Sequence, residues 1–138
     1  MFHSHHVQIY YEDTDFSGVV YHANYLKYFE RAREHMLGVS HLVTLYEEQG
    51  VGFVVYKAAM TFREGARFGD HIEVRSTVHA ESAYRLVFQQ NIWRDGARRP
   101  LVEGEVQLAC VDRDHKLCAV PDDIIQALSS SPFASLGG

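Results

Sequence analysis

The hydrophobic pattern changes period once, near Gly50, and that change restricts the fold more than any other feature of the chain. Before it, Tyr25, Phe29, Ala32 and Met36 recur at spacings of four, three and four, which is one stripe of an α-helix. Lys27, Glu30, Arg31 and Glu34 fall off that stripe, so the helix has one face to bury. Asn24 reads as its N-cap and Gly38 as the glycine that stops it. A shorter helix over 40–49 is closed by Gly50. After Gly50 the period is two. Strands are predicted over 51–64, 71–79, 84–94 and 101–112, and Ile72, Val74, Ser76 and Val78 share one face of the second of them. Asp95-Gly96 marks a hairpin turn between the last two. An earlier strand is predicted over 5–10, and Pro121 opens a short terminal helix with Asp122 and Asp123 in its first turn.

One long helix followed by a run of antiparallel strands is an α+β arrangement, with the sheet wrapped on the helix. The 138 residues hold one such domain, assigned to 1–128, and a Ser- and Gly-rich tail over 129–138 reads as flexible. A hydrophobic fraction of 46% and a charged fraction of 22% exclude a disordered chain or a fibre. Long alternating strands expose edges and leave an outer sheet face, with Val87, Trp93, Ala109 and Val111 among polar neighbours. Self-association to a homo-oligomer, dimer or tetramer, is therefore expected.

Charge and length narrow the partners. Thirteen basic against 18 acidic residues leave a net charge of −5, the wrong sign for a nucleic-acid-binding chain. No stretch is long and apolar enough to span a bilayer. The first eight residues lack the cationic and apolar segments of a secretory signal, so a cytoplasmic location is expected. Two cysteines, Cys110 and Cys118, make no disulfide framework and read as reduced, packed thiols. His3, His5 and His6 read as a polar surface cluster, with no functional metal.

The chain has no nucleophile elbow, phosphate loop, dinucleotide fingerprint or zinc-type cysteine pair. The informative stretch is YYEDTDFSGVVYHANY, residues 10–25. It gathers Glu12, Asp13 and Asp15 in a Gly-containing loop that runs into the start of the apolar helix. A helix start offers backbone N–H groups to a developing oxyanion. A carboxylate beside it can attack a carbonyl or activate water, and His22, seven residues after Asp15, can orient the acid or handle the proton. The same acids could equally cap the helix and shape the turn.

This run, continued by YFERAR at 28–33, FVVYK at 53–57, ARFGD at 66–70 and CVD at 110–112, closely resembles the hotdog-fold acyl-CoA thioesterases of the 4-hydroxybenzoyl-CoA thioesterase family, with the nearest likeness to their Tol–Pal-associated (YbgC-type) branch. The resemblance implies hydrolysis of an acyl-CoA to acid and free CoA, without metal or other cofactor, at a site between chains. It makes Asp15 the catalytic carboxylate, with Tyr11 and His22 at the accompanying positions. It sets Gly18, Tyr21, Tyr25 and Lys57 around the substrate. Phe16-Ser17 replaces two small residues common in that branch, a change expected to reshape the acyl pocket. Lys57, Arg63, Arg67, Arg94, Arg98 and Arg99 are candidates for the CoA phosphates. A hotdog hydratase or dehydratase acting on acyl thioesters, and a non-catalytic acyl-CoA-binding module, are the alternative readings.

Overall fold

A computed structural model describes residues 1–129 and Pro132. Strand β1 spans His3–Gln8, helix α1 Asn24–Leu37, helix α2 Val39–Gln49, strand β2 Gly52–Phe62, strand β3 His71–Ser82, strand β4 Arg85–Arg94, strand β5 Val102–Val111 and helix α3 Asp122–Ser129. The strands form one antiparallel sheet in the order β1-β3-β4-β5-β2. Strands β3, β4 and β5 follow one another as a meander, while β2 crosses over to pair with β5 and becomes the far edge. The expected flexible tail lies outside the described residues apart from Ser129, which closes α3, and Pro132.

Helix α1 lies across one face of the sheet. Its Tyr25, Tyr28, Phe29 and Ala32 are buried against Ile72, Val74 and Val78 of β3, Leu86, Phe88 and Ile92 of β4, and Val102 and Val106 of β5. Each Val, Leu, Ile or Phe side chain among them withdrawn from water contributes about 1.5–3 kcal/mol. At the middle of this face the core turns polar. Ser76, Gln90 and Gly104 are register partners across β3, β4 and β5. The Gln90 side-chain amide donates to Ser76 Oγ and to the Phe29 carbonyl, both at 3.0 Å, and its oxygen accepts from Arg33 at 3.0 Å. Arg33 is only 6% exposed, so this bond keeps a buried guanidinium from going unpaired. Gly104 completes the row by omission: a Cβ there would stand 2.7 Å from the Phe29 ring and 3.1 Å from the Gln90 carbonyl. The missing Cβ is what lets the Phe29 ring rest directly on the sheet here.

Four details differ from the sequence reading. Strand β1 begins two residues earlier than expected, at His3, and its alternation separates the histidines. His3 and His5 are partly buried and the ring of His5 stacks at 5.0 Å on His35 of α1, whereas His6 is exposed. The surface triplet is thus replaced by an inward pair and one outward ring, and no group of metal-binding side chains forms among the described residues. Asn24 is not the N-cap of α1 but its first residue, and its side chain donates instead to the Asp13 carbonyl at 3.0 Å. The outer sheet face is less wet than expected, because Val87 and Ala109 are buried. Their register neighbours are the longer His79, Gln107 and Arg85, and Arg85 reaches over the Tyr56 ring at 4.9 Å. Asp95-Gly96 does form a turn, but β4 and β5 are joined by seven residues rather than a tight two-residue loop.

Candidate active site

Residues 10–25 form a small hairpin ahead of α1. Tyr11–Asp13 make one turn of 3-10 helix, and the Asp13 carboxylate accepts from the Tyr10 N–H at 2.8 Å. Thr14 pairs with Val20, and the Tyr21 N–H reaches the Asp13 carbonyl at 2.9 Å. Asp13 thereby ties the two sides of the hairpin and sits beside the buried Tyr28, whose phenol is held above its ordinary pKa first by burial and then by that carboxylate. Its role in the turn is the one left open for these acids in the sequence, that of shaping the turn.

Asp15 stands at the hairpin's end. Its N–H donates to the Val19 carbonyl at 2.9 Å, and its own carbonyl accepts from the Gly18 N–H at 3.0 Å. Gly18 has φ +86, a left-handed conformation that side chains disfavour, and this turns the chain back toward the helix. One Asp15 oxygen accepts both the Ser17 N–H at 2.8 Å and the Ser17 hydroxyl at 2.5 Å. These bonds, with the nearby charge of His22 as a smaller contribution, hold the carboxyl below its ordinary pKa. The other oxygen has no partner among the described residues, and the side chain is exposed.

The chain then enters α1 by a tight start. The N–H groups of Asn24, Tyr25 and Leu26 already bond to the carbonyls of Tyr21, His22 and Ala23 at 2.8, 3.3 and 3.2 Å. Among the described residues, the donors left without a hydrogen bond at this corner are one step earlier, at His22 and Ala23. The His22 ring lies 4.8 Å from that of Tyr21 and 6.0 Å from that of Phe62, the last residue of β2. Beneath them is an open cavity of ≈ 270 Å³ lined by Val19, Val20, His22, Tyr25, Phe62, Arg63, Glu64 and Gly65.

The other expected site residues divide between this corner and elsewhere. Tyr25 is 2% exposed; its hydroxyl accepts the Ala66 N–H at 3.1 Å, so it floors the cavity and also anchors the loop after β2. Tyr21 and Tyr11 are exposed, and Tyr11 packs edge-on against Phe68 at 6.0 Å. Phe16 is fully exposed at the hairpin tip and fills no cavity of its own chain. Lys57 is exposed on β2 just past a bulge at Tyr56, away from the cavity. Of the basic candidates, Arg63 bonds Glu103 at 3.0 Å, and Arg94 bonds Asp70 at 3.1 Å and Glu64 at 3.2 Å. The sequence reading missed the part of Ser17, which the D-x-S spacing of an Asx-type turn encodes. It also missed Phe62, which nothing local could have linked to His22. A second cavity of ≈ 240 Å³ opens at the other end of β2, between Glu30, Arg33 and Leu37 of α1, Tyr46 of α2, and Phe53 and Val55.

A five-stranded antiparallel sheet laid on one long helix is the hotdog architecture. The chain belongs to the Thioesterase-like superfamily, whose family model matches residues 10–128. It is 40% identical over 108 residues to the acyl-CoA thioesterase YbgC of Haemophilus influenzae, covering 77% of this chain and 78% of that protein. Against the acyl-CoA thioester hydrolase YbgC of Escherichia coli the identity is 41% over 108 residues, covering 77% and 79%. Among solved structures, a 1,4-dihydroxy-2-naphthoyl-CoA thioesterase from Synechocystis superposes with a TM-score of 0.86 at 23% identity, covering 94% of this chain and 97% of that one, a likeness of fold.

Proposed function

We propose that this protein hydrolyses the thioester of an acyl-CoA to the free acid and CoA, with Asp15 as the reacting carboxylate. The observation that carries the assignment is the state of Asp15. It is ionised and anchored through one oxygen, with the other oxygen open to solvent beside His22. In that state it can attack the thioester carbon as nucleophile or take a proton from an attacking water. The unbonded N–H groups of His22 and Ala23 are suited to accept the charge that builds on the carbonyl oxygen. His22 is suited to receive or return the proton, and Tyr11, Gly18, Tyr21 and Tyr25 surround the approach. The reaction needs no metal. The YbgC relatives, named for the same activity, support the choice of substrate class.

The reading includes a homo-oligomer. Strand β2 is an 11-residue edge with Val54, Val55, Tyr56 and Phe62 exposed, a template for pairing with another chain. Antiparallel pairing of two β2 strands about a two-fold axis sets the Phe62 end of one beside the Gly52 end of the other. The cavity near His22 of one protomer then adjoins the second cavity of its partner, and Lys57, midway along β2, falls at the two-fold axis. That pairing gives the open site a wall. We place the reaction in the cytoplasm, where acyl-CoA esters are made.

Paired substitutions test the carboxylate. Asp15→Asn keeps the shape and the Ser17 contacts but removes the charge, and a thiol-release assay across acyl-CoA esters should show kcat lowered at least ~100-fold. Asp13→Asn should lower stability by about 1 kcal/mol while hydrolysis continues. Loss of turnover in Asp13→Asn with Asp15→Asn still active would reassign the acid. An active double variant would reject the hairpin as the site.

A further inference from the structure

Beyond hydrolysis, the end of β5 carries a second piece of chemistry. The chain leaves Cys110, turns at Asp112–Lys116 and comes back beside itself, with Val111 pairing to Leu117 and the Cys118 N–H donating to the Cys110 carbonyl at 3.0 Å. The turn is secured by the Asp112 carboxylate, which accepts from the N–H groups of Asp114 at 2.9 Å and Lys116 at 3.1 Å. Cys110 and Cys118 are therefore direct neighbours across two strands, and their Sγ atoms lie 3.6 Å apart. Cys110 is buried, while Cys118 is partly exposed. A disulfide requires about 2.05 Å between sulfurs, so rotation of the two side chains through about 1.5 Å of closure suffices, without unfolding the turn.

We propose that Cys110 and Cys118 are a modification site: a dithiol that closes to an intramolecular disulfide on exposure to a hydroperoxide. The partly exposed Cys118, reacting as its thiolate, attacks the peroxide oxygen, forming a sulfenic acid and releasing hydroxide from hydrogen peroxide. The Cys110 sulfur then attacks the Cys118 sulfur. An S–S bond forms, the sulfenic S–O bond breaks, and the hydroxyl leaves as water with the Cys110 proton. Overall two thiols lose two electrons and two protons, and the peroxide is reduced to two waters. Burial, then the adjacent Cys118 sulfur, push the Cys110 thiol up to about 12, so Cys118 is the sulfur that meets the peroxide first, and the 3.6 Å between the sulfurs is what lets Cys110 resolve it. The bond would fasten the segment leading into α3 to the end of β5. In a reducing compartment such a bridge is transient and reversible, which is how thiol pairs in such proteins act as sensors.

The test uses the full chain. The reduced protein is treated with one equivalent of hydrogen peroxide, alkylated under denaturing conditions and weighed intact, before and after dithiothreitol. The expected result is a mass lower by about 2 Da with no alkylation, both thiols returning after reduction, and a single cross-linked peptide joining Cys110 to Cys118. Cys110→Ser should instead leave a sulfenic acid on Cys118 that dimedone traps. Sulfinic acid on Cys118 with Cys110 still open to alkylation would overturn the proposal, as would bridging confined to linked pairs of chains. The readout is independent of thioester hydrolysis, so the assignment of Asp15 and that of the thiol pair stand or fall separately.

Discussion

Ser17 donates two hydrogen bonds to one oxygen of Asp15, and each is worth more to the anion than to the neutral acid. The folded pKa is therefore lowered, and the carboxylate persists below the range in which an unpaired Asp, at about 3.9, would take a proton. The sign follows directly: any stabilisation from this site is present above the unfolded pKa and fades as pH falls through the folded one. If Asp15 must be ionised to react, the acid limb of kcat/KM for the wild type should fall below pH 3.9 or be hidden by unfolding. Ser17→Ala removes the hydroxyl contact and should move that limb upward, and a pH–rate profile of the two proteins measures it. The same residue shows what the sequence makes legible. Asp15 and His22 stand out because they are close in the chain, and a local motif carries them. Phe62 does not, because it reaches His22 only after the crossover that carries β2 to the far edge. Asn24 was misassigned since its side chain prefers a carbonyl 11 residues back to the N–H groups ahead of it.

The junction of β1 with α1 includes a pair of stacked rings beside the aliphatic packing of Val7, Met36 and Leu37. His5 stacks on His35, and His3 lies nearby on the same strand face. Burial, followed by the charges of His35, His3, His6 and Arg31, lowers the pKa of His5, and burial with His35 lowers that of His3. Groups whose folded pKa lies below the unfolded value take up protons on unfolding, so their contribution to stability is full above pH 6.5 and diminishes as pH drops below it. Thermal melting should thus show a lower Tm at pH 5 than at pH 7.5, and His5→Phe, which keeps a stacked ring, should reduce the difference. The helix and strand periods were readable because a buried stripe or face repeats regularly. The strand order was not, since the alternation of β2 is the same whether it pairs with β3 or with β5. The histidines look like a surface cluster because His3-Ser4-His5-His6 is a polar run, and the inclusion of residues 3 and 4 in β1 is what brings His3 onto the face of His5.

For the molecule as a whole, two edges bound the sheet, and they differ. Strand β1 has six residues and is largely polar, while β2 has 11 with four large apolar side chains exposed. Sedimentation at micromolar concentration should give a mass of at least two chains. Replacing Val54 and Val55 together by Lys should shift the protein toward monomer and lower hydrolysis with it, and a fully active monomer would remove the two-fold site. Gly104 has its own consequence for the assembled protein. Helix α1 is pressed onto the sheet at Phe29 over that missing Cβ, and its first turn carries the corner proposed to react about one and a half turns away. Gly104 is thus a fulcrum with the corner at the end of the beam. A methyl group inserted by Gly104→Ala should cost about 1–3 kcal/mol through overpacking. It should also tilt the beam and lower kcat, with every residue near the thioester unchanged.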